Sequence, residues 1–140
     1  MAHFTLVTAG SRGDIQPYIA LGLGLRARGH TVRLATHALY ANWIRGYGLE
    51  FAPVEGDPLA AFQQGHGRDW VETGQRGREF LRGFQRFISP LLRQATADTL
   101  AACAGTDMVL FSAVAFYVTY SVAEKLGLPF LQAYLQPINP

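Results

Sequence analysis

A chain of 140 residues is the size of one compact domain. With 49% hydrophobic and only 16% charged residues it is too apolar for intrinsic disorder, and a formal net charge of +2 lies far below the clustered excess of a nucleic-acid binder, so no nucleic-acid partner is expected. The lone Cys103 excludes an intrachain disulfide and a Cys-rich metal site and is compatible with a reducing compartment, which points to the cytoplasm.

In chain order, Met1 to Gly10 has no charged segment ahead of its short apolar run, Phe4 to Val7, so no targeting segment is read there. His3 to Thr8 reads as a buried strand stopping at a glycine turn, Ala9-Gly10-Ser11-Arg12-Gly13. Pro17 to Arg28 reads as a helix with Tyr18, Leu21 and Leu25 on one face, Pro17 in its first turn and Gly29 just past its end. Thr31 to Thr36 is a second strand, Leu39 to Tyr47 a short helix closed by Gly48, and Leu49 to Val54 a third strand. From Leu59 to Gly77 glycines interrupt every pattern, and a mobile surface connection is expected.

Beyond it Phe80, Phe84, Phe87 and Leu91 form an amphipathic stripe, widened by Leu81, Ile88 and Leu92, on a helix that Pro90 should kink or divide and that runs to about Cys103. Met108 to Phe111, Phe116 to Leu126 and Pro129 to Tyr134 read as strand, helix capped by Gly127, and strand. The longest uncharged stretch, Met108 to Ala123, has 16 residues including Ser112, Thr119 and Ser121, short of the ~20 apolar residues of a membrane span. The alternation predicts an α/β fold: a Rossmann-like parallel sheet of about five strands flanked by helices, in one domain over residues 1–140.

Gly10-Ser11-Arg12-Gly13-Asp14 lies between a strand and a helix, where backbone N–H groups and the positive helix end face the crevice at the sheet's carboxyl edge. The two glycines are equally well read as the tight turn this geometry needs. Gly22-Leu-Gly-Leu-Arg-Ala27 also fits a loose dinucleotide pattern, but it lies inside a helix, where it reads as packing, and the second strand ends in Ala35-Thr36-His37 without the acid that a dinucleotide ribose requires. Asp14 has two readings. It is a helix N-cap, or, with Pro17 opening the helix and Gln16 as cap, it stands outside the helix with its carboxylate facing the crevice. There it would suit taking a proton from a hydroxyl that turns acidic as it reacts.

These residues carry a resemblance. The run from Gly10 to His30 (GSRGDIQPYIALGLGLRARGH), followed by Val32-Arg-Leu-Ala-Thr36, Gly48-Leu-Glu-Phe51 and Pro53-Val-Glu-Gly-Asp-Pro58, resembles the N-terminal half of the GT-B glycosyltransferases. Within them it is most similar to the sterol glucosyltransferase-like branch, of the glycosyltransferase family 28 N-terminal type, which in turn resembles the antibiotic-aglycone glycosyltransferases. The resemblance implies an acceptor-binding domain facing a second domain that holds a nucleotide-diphosphate sugar. It implies Asp14 as catalytic base and Ser11, Arg12 and Gly13 at the place where donor phosphate and acceptor meet. The reaction implied is inverting transfer of a hexose to a hydroxyl of a lipid, sterol-like or other apolar acceptor, with the nucleotide sugar as co-substrate and neither metal nor cofactor.

Nothing in the 140 residues matches the family's His-x-Gly-x-Gly-Thr segment, so the nucleotide-sugar domain is expected in a missing C-terminal half or a separate chain, and the isolated chain is expected to be inactive. His37, at the crevice edge of the second strand, reads either as a substrate-binding residue or as a solvated turn residue. His30 reads as structural, His3 and His66 have no convergent partner, and Cys103 reads as a packed residue. Arg78, Arg82 and Arg86 make a row that reads as a solvated face or as peripheral contact with an anionic membrane. Phe62, Trp70, Phe80 and Phe84 read as core or as the wall of an acceptor pocket. An apolar crevice rim would favour self-association. Two rival functions remain open: a non-catalytic or membrane-recruiting subunit of a split glycosyltransferase, and a nucleotide-binding oxidoreductase domain.

Overall fold

Successive side chains of a strand point to opposite faces of its sheet, and the apolar residues here are sorted accordingly. The computed structural model describes residues 1–56 and 77–137. Its sheet has five strands, β1 (His3–Val7), β2 (Thr31–Thr36), β3 (Glu50–Pro53), β4 (Met108–Phe111) and β5 (Phe130–Gln132), in the order β3-β2-β1-β4-β5. All neighbours are parallel, and Leu6 of β1 lies level with Leu34 of β2 and Leu110 of β4.

Those three leucines face one core with Val32, where α1 (Arg12–Ala27) contributes Ile15, Tyr18 and Ile19 and α2 (Ala41–Gly46) contributes Ile44. Val7, Ala35, Val109 and Phe111, one residue out of phase, face a second core with Ala102 at the end of α3 (Gly77–Ala102) and Val122 of α4 (Phe116–Leu126). Burial on both faces suits the unbroken apolar run of β4, Met-Val-Leu-Phe, as parallel sheets favour. Fully burying a side chain such as Leu34 contributes roughly 1.5–3 kcal/mol. Gly22 packs in mid-helix against Leu49 and Val32, whose atoms a Cβ would meet at 3.1 and 3.2 Å, so the glycine pair of α1 opens no helix.

Two expectations are corrected. Helix α1 starts at Arg12 and not at Pro17, with Ser11 as its N-cap, so Asp14 is neither cap nor outside the helix but its third residue. Pro17, one turn further in, lacks only the N–H that would reach the carbonyl of Gly13, an exposed residue, and is tolerated there. Helix α3 is not divided at Pro90, because Pro90 and Arg86, whose carbonyl loses its partner, both lie on the exposed side, where water can substitute. The expected connection from Leu59 onward, with Phe62, His66 and Trp70, lies outside the described residues, as do the side chains of Arg78, Phe80, Leu81, Arg82, Phe84, Phe87 and Ile88. The strands fall where expected, and α4 ends at Gly127 in the left-handed region (φ +63°).

At the amino end of the sheet, Arg33 donates from Nη1 to the carbonyls of Ala102 (2.7 Å) and Ala104 (3.0 Å) and pairs with Glu50 at 3.1 Å. A cation thus closes the carbonyl end of α3, where the helix dipole favours it. Among the described residues no helix is long and apolar enough to cross a membrane.

Cys103 is buried in the second core, and burial pushes its thiol up from 9.0 to about 11, against the pull of Arg33 nearby. The folded chain holds this proton more tightly than the unfolded chain, so this group's contribution to stability is present below pH 9.0 and declines as pH rises toward 11. At pH 8 the thiol should react with an aromatic disulfide reagent only at the rate of unfolding. Full labelling within seconds of the native chain would contradict this placement.

Candidate functional site

Parallel strands deliver their carboxyl ends to one edge, and the residues just past each strand gather there. Thr8 to Gly10 come after β1, His37 after β2, Ser112 after β4, and Ala133 and Tyr134 after β5. The chain leaves the central strand through Gly10, which has φ +125° and sits so close to Asp14 that a Cβ would lie 2.4 Å from the carboxylate Oδ2. Gly10 is therefore required twice, by its backbone and by its neighbour.

Asp14 reaches back over this turn. The N–H of Ser11 donates to Asp14 Oδ2 at 2.7 Å and the Ser11 hydroxyl donates to the same oxygen at 3.0 Å. The Thr8 hydroxyl holds the Asp14 main-chain carbonyl at 3.2 Å. One carboxylate oxygen is thus committed to helix capping. The other, Oδ1, accepts no hydrogen bond among the described residues, and the side chain is only partly buried. Asp14 thus takes part in capping from the third position of the helix, through one of its two oxygens.

Gly13 contrasts with Gly10. It is exposed, has no positive φ, and among the described residues a Cβ there would meet nothing nearer than Ser11 Oγ at 3.7 Å. The turn does not need it. Arg12 is also exposed, its guanidinium carbon 4.9 Å from the centre of the Trp43 ring, a cation–π contact worth roughly 0.5–1 kcal/mol at such a site.

His37 is 4% exposed, so it is not a solvated turn residue; its Nε2 accepts the Gly10 N–H at 3.0 Å. The Tyr40 hydroxyl donates to the Gly10 carbonyl at 3.3 Å, and the Tyr40 ring lies between those of His37 and Trp43. Tyr18, one turn beyond Asp14, donates its hydroxyl to the carbonyl of Ala133, tying α1 to the end of β5. Burial, and then the charge of Asp14 and the nearby Tyr134, hold its phenol up at about 12 against the Ser112 hydroxyl beside it. Tyr18 is therefore a protonated donor at neutral pH and not a base. The Ser112 oxygen has no hydrogen-bond partner among the described residues, and it acts on Tyr18 through its nearness.

The edge thus brings together Ser11, Arg12, Gly13, Asp14 and His37. It adds Thr8, Tyr18, Tyr40, Trp43 and Ser112, which pattern reading passed over. Tyr40 and Trp43 carried a usable signal, an i, i+3 aromatic pair directly after a strand end, whereas Tyr18 is indistinguishable from core in the helical stripe. The other described histidines lie elsewhere. His30 accepts the Ala2 N–H at 3.3 Å and packs edge-on against Phe4, and His3 lies 3.8 Å from Glu50. Among the described residues no three His, Cys, Asp or Glu side chains are gathered as metal ligands.

A family model, the glycosyltransferase family 28 N-terminal domain, matches residues 4–138. A sterol 3-beta-glucosyltransferase of Glomerella lagenarium is 41% identical over 95% of the chain, and one of Yarrowia lipolytica 39% identical over 96%. The chain spans 9% of the length of each. Among solved structures, the Streptomyces sp. SF2575 glycosyltransferase SsfS6 superposes on all of this chain with a TM-score of 0.67 at 21% identity, the match covering 41% of that protein. The calicheamicin glycosyltransferase CalG4 superposes on 96% with a TM-score of 0.66 at 17% identity, covering 30% of its own chain. These likenesses establish the fold as one half of a GT-B architecture.

The two glycines should respond oppositely to alanine. Gly10→Ala should lose more than about 1 kcal/mol of stability, whereas Gly13→Ala, in a helical conformation with room for a methyl, should gain about 0.4–1 kcal/mol. Urea unfolding of the three proteins measures both. A destabilised Gly13→Ala would mean that the fold does need that glycine.

Proposed function

The chain belongs to the glycosyltransferase family 28 N-terminal domain family, and we propose that it is the acceptor-binding domain of an inverting glycosyltransferase whose acceptor is a sterol-like or other lipid hydroxyl. The observation that carries this reading is the divided carboxylate of Asp14. Oδ2 is tied to Ser11, which orients the group, and Oδ1 remains an acceptor at the carboxyl edge of the sheet, where open α/β folds bind ligands. The names of the curated relatives support the sterol-like acceptor, and thymidine diphosphate bound to SsfS6 supports a nucleotide-diphosphate sugar as donor.

In this reaction the acceptor oxygen attacks the anomeric carbon from the face opposite the diphosphate. The new carbon–oxygen bond forms as the old one breaks, its electron pair leaving with the nucleoside diphosphate, and the hydroxyl proton passes to Asp14 Oδ1. In-line displacement inverts the anomeric centre. Proton transfer late in the process suits a carboxylate, because the hydroxyl becomes acidic only as its oxygen bonds to carbon. Gly13 leaves the backbone bare at the positive end of α1, where diphosphate oxygens can approach N–H groups, and Arg12, steadied on Trp43, supplies a cation at the same edge. Each of these features suits departing negative charge.

In a complete transferase containing this domain, Asp14→Asn should keep the fold and lower turnover about 100 to 10,000-fold, since the amide cannot take the hydroxyl proton. Gly13→Ala should keep or raise the melting temperature while weakening use of the donor. Kinetics with melting temperatures alongside, and NMR of the product's anomeric proton, check all three expectations. Near-normal turnover of Asp14→Asn, or a product with retained configuration, would contradict the proposal.

A further inference from the structure

We propose that His37 is a positioning residue that sets the orientation of Asp14 through the backbone of Gly10, an inference that rests on the reading of Asp14 as the base. The connection is through two consecutive peptide units. The one ending in the Gly10 N–H is held by His37 Nε2 at 3.0 Å. The next joins the Gly10 carbonyl, held by the Tyr40 hydroxyl at 3.3 Å, to the Ser11 N–H, which is the donor that grips Asp14 Oδ2 at 2.7 Å. Between them lies only the Cα of Gly10, the residue whose lack of a Cβ lets it rotate most freely. Fixing both planes fixes φ and ψ of Gly10, and with them the direction in which the Ser11 N–H points.

The chemistry of the ring supports this role over a purely structural one. An accepting Nε2 puts the proton of a neutral imidazole on Nδ1, and Nδ1 is buried without a hydrogen-bond partner among the described residues. A buried donor left unpaired is destabilising, so an apolar side chain would serve packing better. What histidine supplies and a hydrocarbon cannot is an acceptor aimed at the Gly10 N–H. The ring is 4% exposed and that nitrogen is occupied, so His37 acts on the reaction through Asp14 and not through its own contact with the acceptor hydroxyl.

The test compares His37→Phe, which keeps a ring and removes the acceptor, with His37→Gln, whose carbonyl oxygen restores one. In the complete transferase, His37→Phe should lower kcat about 100-fold, the loss expected for a misplacement near 1 Å, with KM for both substrates within about 2-fold. His37→Gln should recover most of kcat. Equal kcat for His37→Phe and the unmodified enzyme, or a His37→Gln as slow as His37→Phe, would overturn the inference. Asp14→Asn separates the two levels: if it is slow while His37→Phe is normal, only the positioning role fails, and if it is fast, the base assignment fails first. Should His37→Phe not fold, His37→Leu, a smaller apolar side chain that also lacks the acceptor, takes its place in the same comparison. The same loss of kcat with KM held is expected, and a normal kcat for His37→Leu would overturn the proposal.

Discussion

The site hangs on the peptide unit between Gly10 and Ser11. Its carbonyl is held from the segment after β2 and its N–H is spent on Asp14, so one rigid plane joins the turn, the neighbouring strand's end and the carboxylate. The sheet order makes this arrangement possible. With β2 beside β1, the segment after β2 lies next to the turn after β1, so His37 and Tyr40 reach the peptide units on either side of the Gly10 Cα. The two cores serve the same end. Alternating residues of β1 anchor the strand from both faces, so Thr8 to Gly10 enter the turn from a fixed point.

Near the amino end, Thr5 and Thr106 share a 2.6 Å hydrogen bond, Asp107 accepts the His3 N–H at 2.7 Å, and Arg33 closes α3. At the carboxyl edge Thr36 Oγ1, His37 Nδ1 and Ser112 Oγ are buried without a hydrogen-bond partner among the described residues, as is His3 Nε2 at the amino end. Unpaired buried groups typically cost 1–3 kcal/mol each. The unpaired groups around His37 give up some stability at the edge where the candidate site lies, as binding sites commonly do.

Much of the fold was legible because hydrophobic periodicity is a strong signal in a doubly covered sheet. The second and fourth strands and α4 have the expected ends, since glycine and the switch between apolar and polar residues punctuate them. The start of α1 was not legible. Pro17 is a strong marker of a first turn, but Ser11 and Asp14, three residues apart, form the competing start, and the reciprocal bond between them outweighs a single lost N–H at Pro17. Pro90 misled for a related reason, because local rules do not say which helix positions face water. The location of Asp14 beside the turn after β1 was legible from the order of the elements. The partner of His37 was not, since its hydrogen bond spans 27 residues and depends on the register of β1 with β2.

In the proposed reaction, the Asp14 oxygen that Ser11 does not hold receives the proton of the acceptor hydroxyl. A structure of a complete transferase containing this domain, with acceptor and nucleoside diphosphate bound, would decide this. The acceptor hydroxyl should lie about 2.6–3.2 Å from Asp14 Oδ1, directly or through one water, with Oδ2 still held by Ser11. An acceptor hydroxyl bonded to a different side chain, with Asp14 out of reach of it, would contradict the claim.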